Sequence, residues 1–222
     1  QVRAIGFARF DPCRFSLPHC RLRSGEGLLI PDLEFPPSIH SFSFGREMIE
    51  HIRSLVLASG SPRRKELLEG AGVTFEVLAA PEGEEEGVDQ SLPPGEGAVA
   101  RALAKAAWAA RQRPKTLVLG ADTIVVLEGE VLGKPRDFED ARQMLGRLSG
   151  RAHKVLTGFA VVIDDMVLTQ IIETEVSFRV LDEVSIERYV DSGEPMDKAG
   201  AYAIQGVGGG FVDRVIGSYT NV

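Results

Sequence analysis

From Leu55 onward, apolar and polar positions alternate between two periods, one suited to strands and one to helices. Leu55–Ala58 is a short apolar run of strand type. Ser61 and Pro62 then read as the N-cap and first position of a helix. Leu67, Leu68 and Ala71 are predicted to form its inward face, with Gly70 and Gly72 at its end. "TFEVLAA" (74–80) reads as a second strand, and the acidic "PEGEEEGVDQSLPPGE" (81–96) as a loop. "GAVARALAKAAWAARQ" (97–112) is rich in alanine with few breakers and predicts a strong helix. "TLVLGADTIVVLEGEVLGKP" (116–135) reads as strand, polar break, strand, tight turn and strand end. Asp137 is the expected N-cap of the next helix, with Met144, Leu145 and Leu148 inward and Gly150 past its end. Two long strand-rich runs, 153–163 and 166–180, are expected to pair, and a short helix over 183–191 stops at Gly193. The remainder (199–222) reads as strand and Gly-rich turn. The pattern predicts an α/β fold with a mixed twisted sheet flanked by helices.

Residues 1–47 differ, scattering Pro, Ser and Arg around "LLIPDLEFPPSIHSFSF" without sustained periodicity. Met48 is the first methionine, and "MIEHIRSLVLASGSPRR" reads naturally as a protein start. The expected organisation is an irregular N-terminal extension (1–47), dispensable for activity, and one domain (48–222). Loss of both turnover and cooperative melting in a chain beginning at Met48 would contradict it.

At 222 residues the chain can bury a full core, and 44% apolar with 26% charged residues describes an ordinary globule. The net charge of −7 argues against a broad nucleic-acid or anionic-membrane footprint, so any phosphate site must be local. No apolar run approaches the roughly 20 residues of a membrane span. The two cysteines, Cys13 and Cys20, form neither a metal pattern with His19 nor a disulfide framework, and their scarcity fits a reducing compartment, the cytoplasm.

Candidate chemistry begins with Arg63 and Arg64, which fall in a helix's first turn, where the dipole disfavours cations by about 0.3–1 kcal/mol each. Either a wet surface tolerates them, or an anion such as phosphate sits at that helix start, met by free N–H groups and the Ser-Gly-Ser turn. Asp122 interrupts an apolar stretch. It is either a turn or cap aspartate between strands, or a functional carboxylate that must meet a cation, a metal or strong donors. Lys134 in "GKP" suits a salt bridge or a phosphate ligand. One carboxylate of the Glu82, Glu84, Glu85, Glu86 run could help Asp122 hold a divalent ion, although such runs are usually solvated. Gln205 can donate and accept in a fixed plane, which suits a base edge or merely a turn. His153 reads as structural. "GVGGG" lacks the dinucleotide-binding spacing, and neither a P-loop nor a G-x-S-x-G elbow occurs.

Taken together, "LASGSPRRKELL", "GADTIVVLEGEVLGKP", "ARQMLGRLSGRAHKVLTG", "TEVSFRVL", "YVDSGEPMDKAGAYAIQG" and "GSYTNV" resemble the Maf family in motif and order, from about Leu55 to Val222. The resemblance implies a fold related to inosine-triphosphate pyrophosphatases. It also implies hydrolysis of a nucleoside triphosphate between the α- and β-phosphates, with a divalent metal, Mg²⁺ or Mn²⁺, in a homodimer. Arg63, Asp122–Thr123 and Ile204–Gln205–Gly206 resemble the dTTPase/UTPase branch rather than the 7-methyl-GTPase branch. Carried over residue by residue, Asp122 matches the catalytic acid position, as base or metal ligand. Arg63, Thr123 and Gln205 match base-selecting positions, and Ser59, Arg64, Lys105 and Lys134 match positions near the phosphates. The second metal carboxylate falls on Glu84, with Glu82 and Glu85 as alternatives because the loop is longer here. The family pattern continues past "SYTNV" into a Gly-Leu-Pro-containing helix, a departure that leaves open whether this chain is one module of something longer. A non-catalytic nucleotide-binding regulator of cell division is the rival reading.

Overall fold

The computed structural model describes the backbone of residues 3–9 and the full atoms of residues 55–222. Eight strands form one mixed sheet: β1 (Arg3–Arg9), β2 (Leu55–Leu57), β3 (Phe75–Val77), β4 (Leu117–Leu127), β5 (Glu130–Leu132), β6 (Ala152–Ile163), β7 (Met166–Phe178) and β8 (Val212–Ile216). The main order is β1-β7-β6-β4-β2-β3, with β5 beside β4 and β8 beside β7. β2 runs parallel to β3 and β4, whereas β4, β6 and β7 pair antiparallel over long registers. Among the described residues, four α-helices flank the sheet: α1 (Pro62–Gly70), α2 (Pro94–Gln112), α3 (Phe138–Leu148) and α4 (Glu183–Asp191). The mixed sheet flanked by helices is therefore as the periodicity predicts. The reading of 1–47 as irregular is corrected at Arg3–Arg9, which pairs antiparallel with β7 because a long edge strand offers its unpaired backbone groups; the rest of the extension lies outside the described residues.

Alternation along β4 explains where the core sits. Val118, Gly120, Asp122, Ile124 and Val126 face α2, whose alanines Ala98, Ala102, Ala106 and Ala109 are buried against the sheet. Two sheet glycines let α2 lie unusually close. A Cβ on Gly120 would stand 2.2 Å from the Ala102 carbonyl oxygen, and one on Gly158 would stand 2.4 Å from the Val99 nitrogen. On the opposite face, Val125, Leu127, Val155 and Val176 pack with Leu145 and Leu148 of α3 and with Ile186 and Val190 of α4. Asp137 caps α3 as expected, accepting from the Asp140 N–H at 2.8 Å.

Two further expectations need correction. β4 is one continuous strand of 11 residues, so Asp122 neither breaks it nor caps a turn; its alternating side chain simply faces α2. α1 buries no residue at all, and Leu67 is 46% exposed. Its two leucines are adjacent rather than spaced along one face, Ala71 lies past its end and is exposed, and Leu67 and Leu68 line a cavity rather than cover the core.

Candidate active site

A notch in the sheet edge creates the site. β2 pairs with β4 only through Leu119, and β5 joins β4 only from Val125, leaving the intervening edge open on that side. The chain leaving β2 turns through Ser59 into α1, and Arg64 reaches back into the notch. Its Nη1 donates to the Ala121 carbonyl at 2.8 Å and to Ser59 Oγ at 2.9 Å, while Nη2 donates to Thr123 Oγ1 at 3.2 Å. A buried edge carbonyl thus gains a charged donor, and two of the five guanidinium N–H groups remain available. Burial draws the Arg64 guanidinium below its ordinary pKa, and the charge of Asp122 opposes that shift. Ser59 Oγ also accepts from the Ser61 N–H at 3.3 Å. Both its lone pairs are occupied, so its own proton is left to donate to an acceptor in the cavity.

Asp122 meets two cations presented by one turn of α2. Arg101 Nε donates to its Oδ2 at 2.8 Å, and Lys105 Nζ donates to its Oδ1 at 2.9 Å. Lys105 Nζ also lies 2.5 Å from Glu85 Oε2, a buried oxygen with no well-aligned hydrogen bond. The close approach allowed by Gly120 and Gly158 brings these cations within reach. Each carboxylate oxygen of Asp122 keeps a lone pair beyond its protein partner, and Lys105 keeps two N–H groups beyond its hydrogen bond to Asp122.

These groups surround a cavity of about 980 Å³, within the size range of small-molecule sites. Arg63, Arg64, Lys105, Asp122, Thr123, Lys134 and Gln205 all line it, and Ser59 borders it through its bond to Arg64. Arg63 and Lys134 have no ion-pair or hydrogen-bond partner among the described residues. Glu84 stands apart, 3.5 Å from Arg111 on the surface, whereas Glu85 lines the cavity. The far wall is apolar, with Val155, Phe159, Ile172 and Tyr202. Asn221 pins that wall by donating to the Val155 carbonyl at 3.1 Å and to Thr174 Oγ1 at 3.0 Å.

Sequence reasoning missed Arg101 and Thr157. Arg101 lies four residues before Lys105, so the helical period already put both on one face. Thr157 pairs with Thr123, their hydroxyl oxygens 2.9 Å apart, because β6 places it opposite in register. That pairing left no mark in the sequence. His153 is buried against Tyr202 and Phe178, with Nε2 2.8 Å from the Tyr202 hydroxyl, and burial pushes its pKa down to about 4.

The cavity has four cations (Arg63, Arg64, Lys105, Lys134) and four carboxylates (Glu66, Glu85, Asp122, Asp197) on its lining. Asp122 and Glu85 both approach one ammonium, which gives an oxygen donor set of the kind a hard divalent ion shares with phosphates. No group of three or more His, Cys, Asp or Glu side chains at metal-binding distance occurs among the described residues.

Residues 54–222 match the family model described as "Maf-like protein". A "dTTP/UTP pyrophosphatase" of Anaeromyxobacter sp. (strain Fw109-5) is 54% identical over 173 residues, covering 76% of this chain and 82% of its own. The protein of the same name from Escherichia coli (strain K12) is 50% identical over 171 residues, covering 75% and 84%. Among solved structures, a HAM1 protein from Coxiella burnetii is a distant likeness, with a TM-score of 0.41 and 19% identity over 68% of this chain and 88% of that one. With the family model spanning all of the described site and relatives at half identity across most of the chain, this protein belongs to the Maf family.

Proposed function

We propose that this protein hydrolyses pyrimidine nucleoside triphosphates, dTTP and UTP, to the monophosphate and pyrophosphate. The observation that carries the proposal is the convergence of Arg63, Arg64, Lys105 and Lys134 with Asp122 on one cavity. The names of the relatives at half identity support the same substrate class. Arg64, Lys105, Lys134 and the Ser59 hydroxyl hold the phosphate oxygens. Asp122 accepts a proton from the water that attacks the α-phosphorus. The bond from that phosphorus to the oxygen bridging to the β-phosphate breaks, and pyrophosphate leaves with the bridging oxygen. Arg101 and Lys105 fix the Asp122 carboxylate so that its free lone pairs face the cavity. Thr123, Gln205 and Arg63 meet the base.

A cavity with balanced charges does not by itself attract a triphosphate of about four negative charges. A bound Mg²⁺ or Mn²⁺ would supply that missing charge and polarise the phosphates, held by Asp122 and Glu85. Glu85 takes this role in preference to Glu84, which points toward Arg111. A cytoplasmic homodimer, implied by the family likeness, completes the proposal; sedimentation as a single chain would remove the dimer. No helix among the described residues is long and apolar enough to cross a membrane.

The test is pyrophosphate release from dTTP, UTP, CTP, ATP and GTP with Mg²⁺, Mn²⁺ or chelator. Release from dTTP and UTP, abolished by chelator, is expected. A strong preference for purines would overturn the base assignment, and tight binding without release would favour the regulator.

A further inference from the structure

The glycine-rich run after Gln205 does not line the cavity, yet its packing is specific. Glu194 follows α4, and its carboxylate lies against this run. Oε2 accepts from the Val207 N–H at 3.1 Å, and Oε1 accepts from the Gly208 N–H at 3.3 Å and from the Tyr189 hydroxyl at 2.9 Å. The Tyr189 hydroxyl in turn accepts from the Ala203 N–H at 3.2 Å. One carboxylate–phenol pair therefore holds the backbone on both sides of Gln205. The missing side chains are what admit it. A Cβ on Gly206 would stand 2.1 Å from Glu194 Oε1, and one on Gly208 would stand 2.6 Å from the Tyr189 hydroxyl oxygen.

We propose that Glu194 is a positioning residue for base selection, fixing the Ala203–Gly208 turn so that the Gln205 amide meets the base edge of a nucleoside triphosphate. This rests on the triphosphate site proposed above. Gln205 is exposed on a turn whose own backbone bonds are few: Gly206 N–H to the Ala203 carbonyl at 3.2 Å and Gly209 N–H to the Gly206 carbonyl at 3.1 Å. An amide discriminates between bases only when its plane is fixed before binding, because ordering a glycine-rich turn on binding would consume affinity. Three N–H groups anchored to Glu194 and Tyr189 supply that order in advance. Burial also raises the pKa of Tyr189, which keeps its hydroxyl a donor to Glu194.

The test compares wild type, Glu194→Gln, Tyr189→Phe, Gln205→Ala and the Glu194→Gln/Gln205→Ala double variant. Steady-state kinetics with UTP and GTP are combined with amide hydrogen exchange over 203–209. Glu194→Gln leaves one backbone N–H facing an amide NH₂. It is expected to speed exchange in that segment, to raise KM for UTP about tenfold with kcat within about threefold, and to shrink the UTP-over-GTP ratio of kcat/KM about tenfold. Tyr189→Phe should shift the same readouts in the same direction, and it carries the test if Glu194→Gln does not fold. In the Gln205→Ala background, Glu194→Gln should change the ratio no further. Unchanged exchange would overturn the anchoring. Faster exchange with an unaltered UTP-over-GTP ratio, or multiplicative losses in the double variant, would overturn the positioning role. A wild type that hydrolyses neither nucleotide would instead refute the triphosphate site, and the exchange result would stand separately.

Discussion

Arg63 and Arg64 oppose the dipole of α1 for different reasons. Arg64 spends three N–H groups on Ser59, Ala121 and Thr123, closing the notch where the edge of β4 away from β6 has no strand neighbour. Arg63 makes no hydrogen bond or ion pair among the described residues and faces the cavity near Asp197, whose carboxyl is held below its ordinary pKa by Lys198 and, in smaller part, by Arg63. Asp122 was legible because a carboxylate in an apolar run must find partners. Which carboxylate of the Glu82–Glu86 loop approaches the site was not legible, since four near-identical residues differ only in the direction the loop gives them. His153 carries a prediction of its own. An unfolded histidine takes up a proton near pH 6.5, whereas the buried one does so only at about 4. Between those values the unfolded chain binds more protons, so stability falls as the pH falls. The contribution is complete above the upper value and lost towards the lower one, about 3 kcal/mol in all. The chain has four histidines; the ring resonance of His153, identified by its loss in a His153→Gln variant, should stay flat from pH 8 to 5 while the melting temperature drops below pH 6.5. A resonance midpoint near 6.5 would contradict the burial account.

At the scale of elements, the alternation of strands and helices from Leu55 onward was read correctly in order, but β1 was missed and β4 was divided at Asp122, because one polar residue in an apolar run looks like a break. The purpose of each face was harder to read. α3 carries an apolar stripe at Ala141, Met144, Leu145 and Leu148 and covers core, whereas α1 has only the adjacent Leu67 and Leu68 and borders a cavity. Period reports which face is apolar, not what lies beneath it. The close packing of α2 was equally hidden, because Gly120 and Gly158 look like ordinary weak points of strands until the helix is seen against them. Gly158→Ala tests their role. Its new methyl group must push against the Val99 nitrogen and the Ala98 carbonyl carbon, at 2.4 and 2.5 Å. Overpacking should cost about 1–3 kcal/mol in a urea titration. The same displacement should draw Arg101 and Lys105 away from Asp122, lowering kcat. A variant with unchanged urea midpoint and unchanged kcat would show that helix proximity does not set the site.

Over the whole molecule, the sheet supplies an opening rather than a platform. β2 ends early, β5 begins late, and residues 60 to 64, 105, 121 to 123, 134 and 205 converge on the gap from separate parts of the chain. Family motifs made that convergence legible in outline, and the spacing of Arg101 and Lys105 could have completed it. The register that sets Thr157 beside Thr123 could not be read without the pairing of β4 with β6. The most direct test of the account is turnover of UTP by wild type and by Asp122→Asn, with products followed by phosphorus NMR in oxygen-18 water. Wild type should yield UMP and pyrophosphate with the label in UMP. Asp122→Asn should still bind UTP but turn over at least about a hundredfold more slowly. Label in pyrophosphate, or a variant as fast as wild type, would contradict the account.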